Sequence, residues 1–230
     1  GWDTGMDSLI GTVPDNWTER RLDEICEILA GPSKQVSPAG LGSADVPVVT
    51  PTDLRHNRIA DDYATGMPRE KARALSRYAL LPDDIVCARS GHLGRQGLVS
   101  AHQGGWLLGS GCYRLRVSSL ISAGYLVYYL GHPAVRDWLI RSVRGAMIPT
   151  LSTSMLGALP VVVPQADIQA SAADVLGALD DKIIVHEQIS QTTAALRDAV
   201  LLRLLSGPPQ GDAFGPDGGR SHGLSRTVEL

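Results

Sequence analysis

The nine residues Arg89-Ser90-Gly91-His92-Leu93-Gly94-Arg95-Gln96-Gly97 set three glycines at every third position among two arginines, a histidine and a serine. Glycine lets a backbone turn tightly and approach a partner closely. Arginine, histidine and serine donors beside it suit phosphate oxygens and base edges. The spacing is not the dinucleotide fingerprint, whose first two glycines stand two apart. A tight turn inside a sheet accounts for the glycines alone, so the arginines are the stronger candidates for chemistry. A second loop, Gly145-Ala146-Met147-Ile148-Pro149-Thr150-Leu151-Ser152, follows Arg144 and offers Thr150 as a polar contact. Catalytic signatures do not appear. The chain has no HExxH, no P-loop and no GxSxG elbow, because Ser90-Gly91 and Ser110-Gly111 lack the first glycine. It also lacks the glycine-rich cofactor loop and the Asn/Asp-Pro-Pro-aromatic motif of a methyltransferase, and its six histidines have no spacing that gathers ligands on one face. No catalytic residue, metal or cofactor is expected.

The charges of the 230 residues nearly cancel, 21 Lys and Arg against 24 Asp and Glu, for a net −3. Their distribution is uneven. Residues 55–144 hold 13 basic and 6 acidic side chains, whereas residues 166–230 hold 5 and 9. The basic side chains of the middle are almost all arginine, which binds phosphate and guanine bidentately. A solvated surface is the plain alternative for such a charge excess. Three scattered cysteines, Cys26, Cys87 and Cys112, suit neither a disulfide framework nor a zinc site and suggest a reducing cytoplasm. No apolar run reaches the roughly 18 residues a membrane span needs, and no signal peptide opens the chain.

These residues must be held by a mixed α/β domain over residues 12–165, preceded by an N-terminal extension (1–11) without a strong pattern. β-Branched or alternating runs predict strands at 46–50, 84–88, 112–117 and 159–164. Helical spacing predicts helices at 69–80, 119–130 and 133–143, while 18–29 fits strand or helix. From 166 to 205 the chain has no Pro and a single Gly, Gly177. Ile168, Ala172, Val175, Leu179, Lys182, His186, Ile189, Thr193, Leu196 and Val200 recur there at alternating spacings of four and three. That is the seam of a coiled-coil-type helix roughly 60 Å long, expected to pack on another chain or on a further helix. Polar Lys182 and His186 in the seam would fix its register. Residues 206–230, rich in Gly and Pro, are expected to be disordered.

In order along the chain, these segments resemble the specificity (S) subunits of type I restriction-modification systems. The family's opening is similar to Val13-Pro14-Asp15-Asn16-Trp17, then Arg21-Leu22-Asp23-Glu24-Ile25 and Gly31-Pro32-Ser33. Its strand motifs resemble Pro47-Val48-Val49-Thr50-Pro51-Thr52-Asp53-Leu54 and Leu81 to Val86 with the Gly91 to Gly94 loop. Its exit resembles Ile148-Pro149-Thr150-Leu151-Ser152, then Leu159-Pro160-Val161-Val162-Val163-Pro164 and Gln169, and its helix resembles Leu179-Asp180-Asp181-Lys182-Ile183. Two departures stand out. The family usually holds two recognition domains and two helices, whereas this chain shows one of each and no repeat. Ile168 stands where the family usually has Glu.

The resemblance implies an α+β target-recognition domain with a twisted sheet and a long spacer helix. It implies a non-catalytic partner of methyltransferase subunits that reads half of a bipartite site on double-stranded DNA and pairs as a homodimer through the helix. Under it, Lys34, Arg55, Arg58, Arg69, Lys71, Arg73 and Arg144 are expected at phosphates, and Arg89, His92, Arg95 and Thr150 at base edges. Val175, Leu179, Lys182, His186, Ile189 and Leu196 are expected in the helix pairing. A protein-protein adaptor built on the helix, a detached specificity segment of a larger modification enzyme, and an enzyme with an unrecognised site are the competing readings.

Overall fold

The computed structural model describes residues 5–32, 45–62, 65–143 and 150–205. Lys34 and Arg144, most of the 145–152 loop and the 206–230 tail lie outside them. The chain opens with a hairpin of β1 (Gly5–Ser8) and β2 (Gly11–Pro14). Met6, Leu9 and Ile10 pack on the main core. The first residues, read from sequence as an extension, thus join the domain from Gly5 onward. β3 (Thr18–Arg21), the single helical turn α1 (Leu22–Ile25) and β4 (Cys26–Ala30) follow. The 18–29 ambiguity therefore resolves as strand, turn and strand.

Next come β5 (Val46–Val49) and the short hairpin β6 (Leu54–Arg55) and β7 (Arg58–Ile59). β8 (Gly66–Met67) leads to α2 (Arg69–Arg73). Helix was expected through residue 80. Instead α2 gives way to a 3₁₀ turn at Ser76–Tyr78, and Ala79 bridges Leu107 in extended conformation. Tertiary pairing overrides the helical spacing there. β9 (Ile85–Ala88), β10 (Gln96–Leu98), β11 (Leu107–Leu108) and β12 (Cys112–Val117) complete the central part. α3 (Ala123–Gly131), α4 (Pro133–Ser142), α5 (Thr153–Gly157), β13 (Pro160–Val163) and α6 (Ala166–Leu205) close the chain. The fold is thus mixed α and β, ending in a 40-residue helix with the bounds the hydrophobic pattern indicates.

Six strands form the main sheet in the order β4-β12-β9-β10-β7-β6, antiparallel except for β10 on β7. β11-β5-β8 forms a second sheet, and β13 pairs with β3. The main sheet is covered on both faces. Ile85 and Cys87 of β9 face a core with Leu126, Val135 and Leu156 of the helices, and Val86 and Ala88 face one with Val49, Leu80 and Leu108. Burial on both sides makes β9 a continuous apolar run rather than an alternating one. The three cysteines are free and buried, and burial pushes the Cys26 and Cys87 thiols up to about 12. They stay protonated and inert at neutral pH.

The family-like motifs are structural locks. In Thr50-Pro51-Thr52-Asp53, one Asp53 oxygen accepts from the Thr50 backbone N–H and hydroxyl, both at 2.7 Å, closing a capping box. In Leu81-Pro82-Asp83-Asp84, the buried Asp84 accepts from the Leu81 N–H at 2.8 Å and from Arg116 through two bonds of 2.8 and 2.7 Å. Arg114, 4% exposed, donates to Glu27 across the β4–β12 pair. A buried charge left without its partner would be strongly destabilising.

Tyr125 and Tyr129 of α3 donate to the carbonyls of Val162 and Pro160, at 3.0 Å each. Burial raises both phenols, Tyr129 to about 12 from an ordinary 10.0. The unfolded chain therefore loses these protons first. Their contribution to stability is fully present below about pH 10 and declines as pH rises from there towards 12. Urea midpoints measured at pH 8 and pH 11 should fall between the two, and less in Tyr129→Phe than in the unsubstituted protein.

Candidate nucleic-acid interface

Several arginines of the basic middle are paired within the fold. Arg114 and Arg116 serve the sheet, as above. Arg55 reaches Asp62 at 3.3 Å, and Arg58 makes an ion pair with Asp181 of α6. Arg58, expected at a phosphate, therefore joins the hairpin to the helix. Arg69, Lys71 and Arg73 are exposed on α2, which lies on the edge formed by Val46, Gly105 and Leu107. This patch is separate from the loop at 89–97.

That loop hangs between β9 and β10 and is folded on itself. The His92 N–H donates to Ser90 O, the Arg95 N–H to His92 O, and the Ala88 N–H to Arg95 O. Gly91 and Gly94 take φ of 72° and 82°, backbone regions that favour glycine. His92 and Arg95 project into solvent. Arg89 is half-buried, with its guanidinium 5.6 Å above the Tyr113 ring, and its buried Nε has no partner among the described residues. Thr150 arrives at the same place. It bridges Ser90, the Leu151 N–H donates to Arg89 O at 2.9 Å, and the Tyr113 hydroxyl donates to Leu151 O at 2.7 Å. The structure thus brings Arg89, His92, Arg95 and Thr150 together at one end of the sheet. Their four-way proximity could not be deduced from loops some 55 residues apart.

The loop rests on residues the sequence did not single out. Arg136 of α4 donates through Nε to Gly94 O at 2.9 Å, and a Cβ on Gly94 would stand 3.0 Å from Arg136 Cγ. Gln96, at the loop's exit, lies with its side-chain amide 2.7 Å from that of Asn57. His56 and Asn57 both have positive φ, 49° and 59°, as the two-residue turn between β6 and β7 demands. Asn57 Nδ2 in turn donates to Asp180 Oδ2 of α6 at 2.9 Å, and the Tyr128 hydroxyl donates to the same oxygen at 2.9 Å. A chain of polar contacts therefore runs from the loop through the hairpin to the helix.

The helix has a second docking face. Gln169 is buried, accepts from the Ser122 N–H at 2.7 Å and donates to Pro164 O at 2.8 Å. Ala173 meets α3 at Gly124, where a Cβ would come within 3.0 Å of the Ala173 Cβ. The line Gln169, Ala173, Gly177, Asp180 thus lies on the domain. The seam residues expected to pair lie elsewhere on the helix: Val175, Leu179, Ile189 and Leu196 are 61, 50, 55 and 63% exposed. Lys182 and His186 are exposed with them. Ile168, at the position where the family usually has Glu, is partly exposed and leaves the Gln169 anchor intact.

A mixed α/β domain followed by a long helix with one docked face and one exposed apolar face defines the class of fold. Residues 14–193 match the family model described as the type I restriction modification DNA specificity domain, and the chain belongs to that family. Solved structures share its fold. A chain from a structure of the type I R-M system concerned with complex assembly and conformational transition aligns at TM-score 0.59 and 16% identity, over 81% of this chain and 44% of that one. The HsdS subunit from Thermoanaerobacter tengcongensis aligns at 0.51 and 18% identity, over 81% and 40%. The type I restriction-modification S subunit from M. genitalium aligns at 0.56 and 19% identity, over 81% and 45%. The chain thus spans less than half the length of each. No curated protein matches it. No helix among the described residues is long and apolar enough to cross a membrane.

Burial first, and then the Asp180 carboxylate, hold the Tyr128 phenol above its ordinary range. Asp180→Asn removes the charge and keeps the shape. An ultraviolet titration should then show Tyr128 ionising at lower pH than in the unsubstituted protein. An unmoved Tyr128 signal, assigned with Tyr128→Phe, would mean that Asp180 does not hold the hairpin and helix together.

Proposed function

We propose that this chain is a DNA-reading unit of a type I-like modification complex, reading one half of a split target on double-stranded DNA. The observation that carries the reading is the family match across residues 14–193, which covers the recognition loop, the hairpin and most of the helix. The exposed arginine and histidine side chains beside Thr150 supply donors for base edges and phosphates. The unit contributes recognition and positioning and no chemistry of its own. Methyltransferase subunits dock on it and modify the target base, which they take out of the stack. It works in the cytoplasm, in keeping with three free, buried thiols.

The open seam of α6 pairs with the same helix of a second copy, antiparallel, so that two domains address two half-sites. A helix of about 60 Å separates them by more than one DNA turn of roughly 34 Å. Lys182 and His186 set the register of the pair. The exposed α2 patch of Arg69, Lys71 and Arg73 gives sequence-independent attraction to the backbone.

Selection of duplexes from a random pool by the purified chain tests this reading. An interrupted palindrome is the expected outcome. A single short half-site would keep the recognition role and remove the homodimer. No enrichment at low salt, with and without a methyltransferase partner, would overturn the reading in favour of a protein-protein adaptor.

A further inference from the structure

Beside the recognition loop the domain contains a cleft of about 450 Å³. Arg95 from the loop, Arg136 and His132 from the start of α4, and His56 from the β6–β7 turn line it. Arg136 spends only its Nε on Gly94 O, and its two Nη groups have no partner among the described residues. The Arg95 side chain has none either. The N-terminus of α4 opens at the same place, where His132 caps the helix by accepting from the Ala134 N–H at 3.2 Å. The Arg136 N–H is likewise taken, by His132 O at 3.0 Å, so the guanidinium groups and not the helix end supply the donors. One carboxylate lines the cleft, that of Asp180, and one of its oxygens is taken by the Asn57 and Tyr128 donors. Apart from its two histidines, the lining carries two positive charges and one negative.

Two guanidinium groups with free N–H forks are arranged for oxygens in pairs, the geometry of a phosphate. A net charge of one suits a phosphodiester, which carries a single negative charge. We infer that this cleft is a phosphate site that seats a diester of the DNA backbone between Arg95 and Arg136. Arg95 then positions the domain rather than reading a base, and Arg136 both seats the diester and holds the loop by Gly94. The inference rests on the DNA-reading function proposed above and adds a site to it.

The test compares the full chain with Arg95→Ala and Arg136→Lys on selected and on scrambled duplexes, across a series of salt concentrations. The Arg95 side chain makes no hydrogen bond or ion pair among the described residues, and the loop is held by its own backbone bonds, so Arg95→Ala leaves the loop in place. Arg95→Ala should weaken binding to both duplexes evenly, by about tenfold, and lower the slope of log affinity against log salt by about one. Arg136→Lys keeps the charge and loses the fork. It should keep the slope and lose part of the affinity. Unchanged affinity in Arg95→Ala, or a changed preference at one base with an unchanged slope, would overturn the site. Should the unsubstituted chain bind no duplex, the function proposed above fails, and inorganic phosphate then decides the cleft alone. Saturable shifts of the His56 and His132 ring signals, absent in Arg95→Ala, would retain an anion site, and unmoved signals would overturn it.

Discussion

One carboxylate oxygen joins the β6–β7 hairpin, α3 and the long helix. Asp180 Oδ2 accepts from the hairpin through Asn57 and from α3 through Tyr128, and Asn57 passes the contact to Gln96 at the root of the β9–β10 loop. The first part of the helix is thereby referenced to the surface that carries His92 and Arg95. A polar network of this kind contributes less by its net energy than by the single arrangement it permits, because each member left unpaired is costly. Gln169 does the same at the helix entrance, and the Gly124–Ala173 approach sets the distance between α3 and α6. These contacts fix the first part of α6 to the domain, as the proposed role of a spacer requires.

The same economy of pairing explains which arginines remain available. A sheet buried on both faces has no room for free charge, so Arg114 and Arg116 are matched to Glu27 and Asp84. Arg58 is matched to Asp181, and Arg55 to Asp62. The cationic side chains left exposed at the end of the sheet are those on the tight loop and at the start of α4. Exposed positive charge therefore sits on the loop and at the start of α4 and, separately, on α2, and such charge draws an anionic partner to these surfaces.

The long helix was legible from end to end, because forty residues without proline and with a sustained seam leave no competing structure. β5, β9, β12 and β13 were legible for a similar reason, being short apolar runs bounded by turn residues. The hairpin at Leu54–Ile59 was not. Its strands are two residues each, and its turn uses His56 and Asn57 at positive φ instead of an Asn-Gly pair. α2 was overread because the apolar spacing through Leu80 reflects burial in an extended segment. Of the candidate site, the loop arginines and Thr150 were found through residue type and loop position. Arg136, His132 and His56 were missed because only the packing of α4 and the hairpin against the loop brings them there. The single glycine of the helix, Gly177, was a usable signal of a close-packed second face, and so was the Asp180-Asp181 pair within an otherwise amphipathic stripe.

In the proposed function α6 serves two surfaces at once, its own domain and the helix of a second copy. Sedimentation equilibrium of the chain and of Leu179→Asp/Ile189→Asp, each with a duplex carrying two half-sites, tests it most directly, since both side chains are exposed and neither holds the domain. The expected result is a dimer of the unsubstituted chain on one duplex, and a monomeric variant that still binds a single half-site. A variant that remains dimeric, or an unsubstituted chain that is monomeric at every concentration and on every duplex, would contradict it.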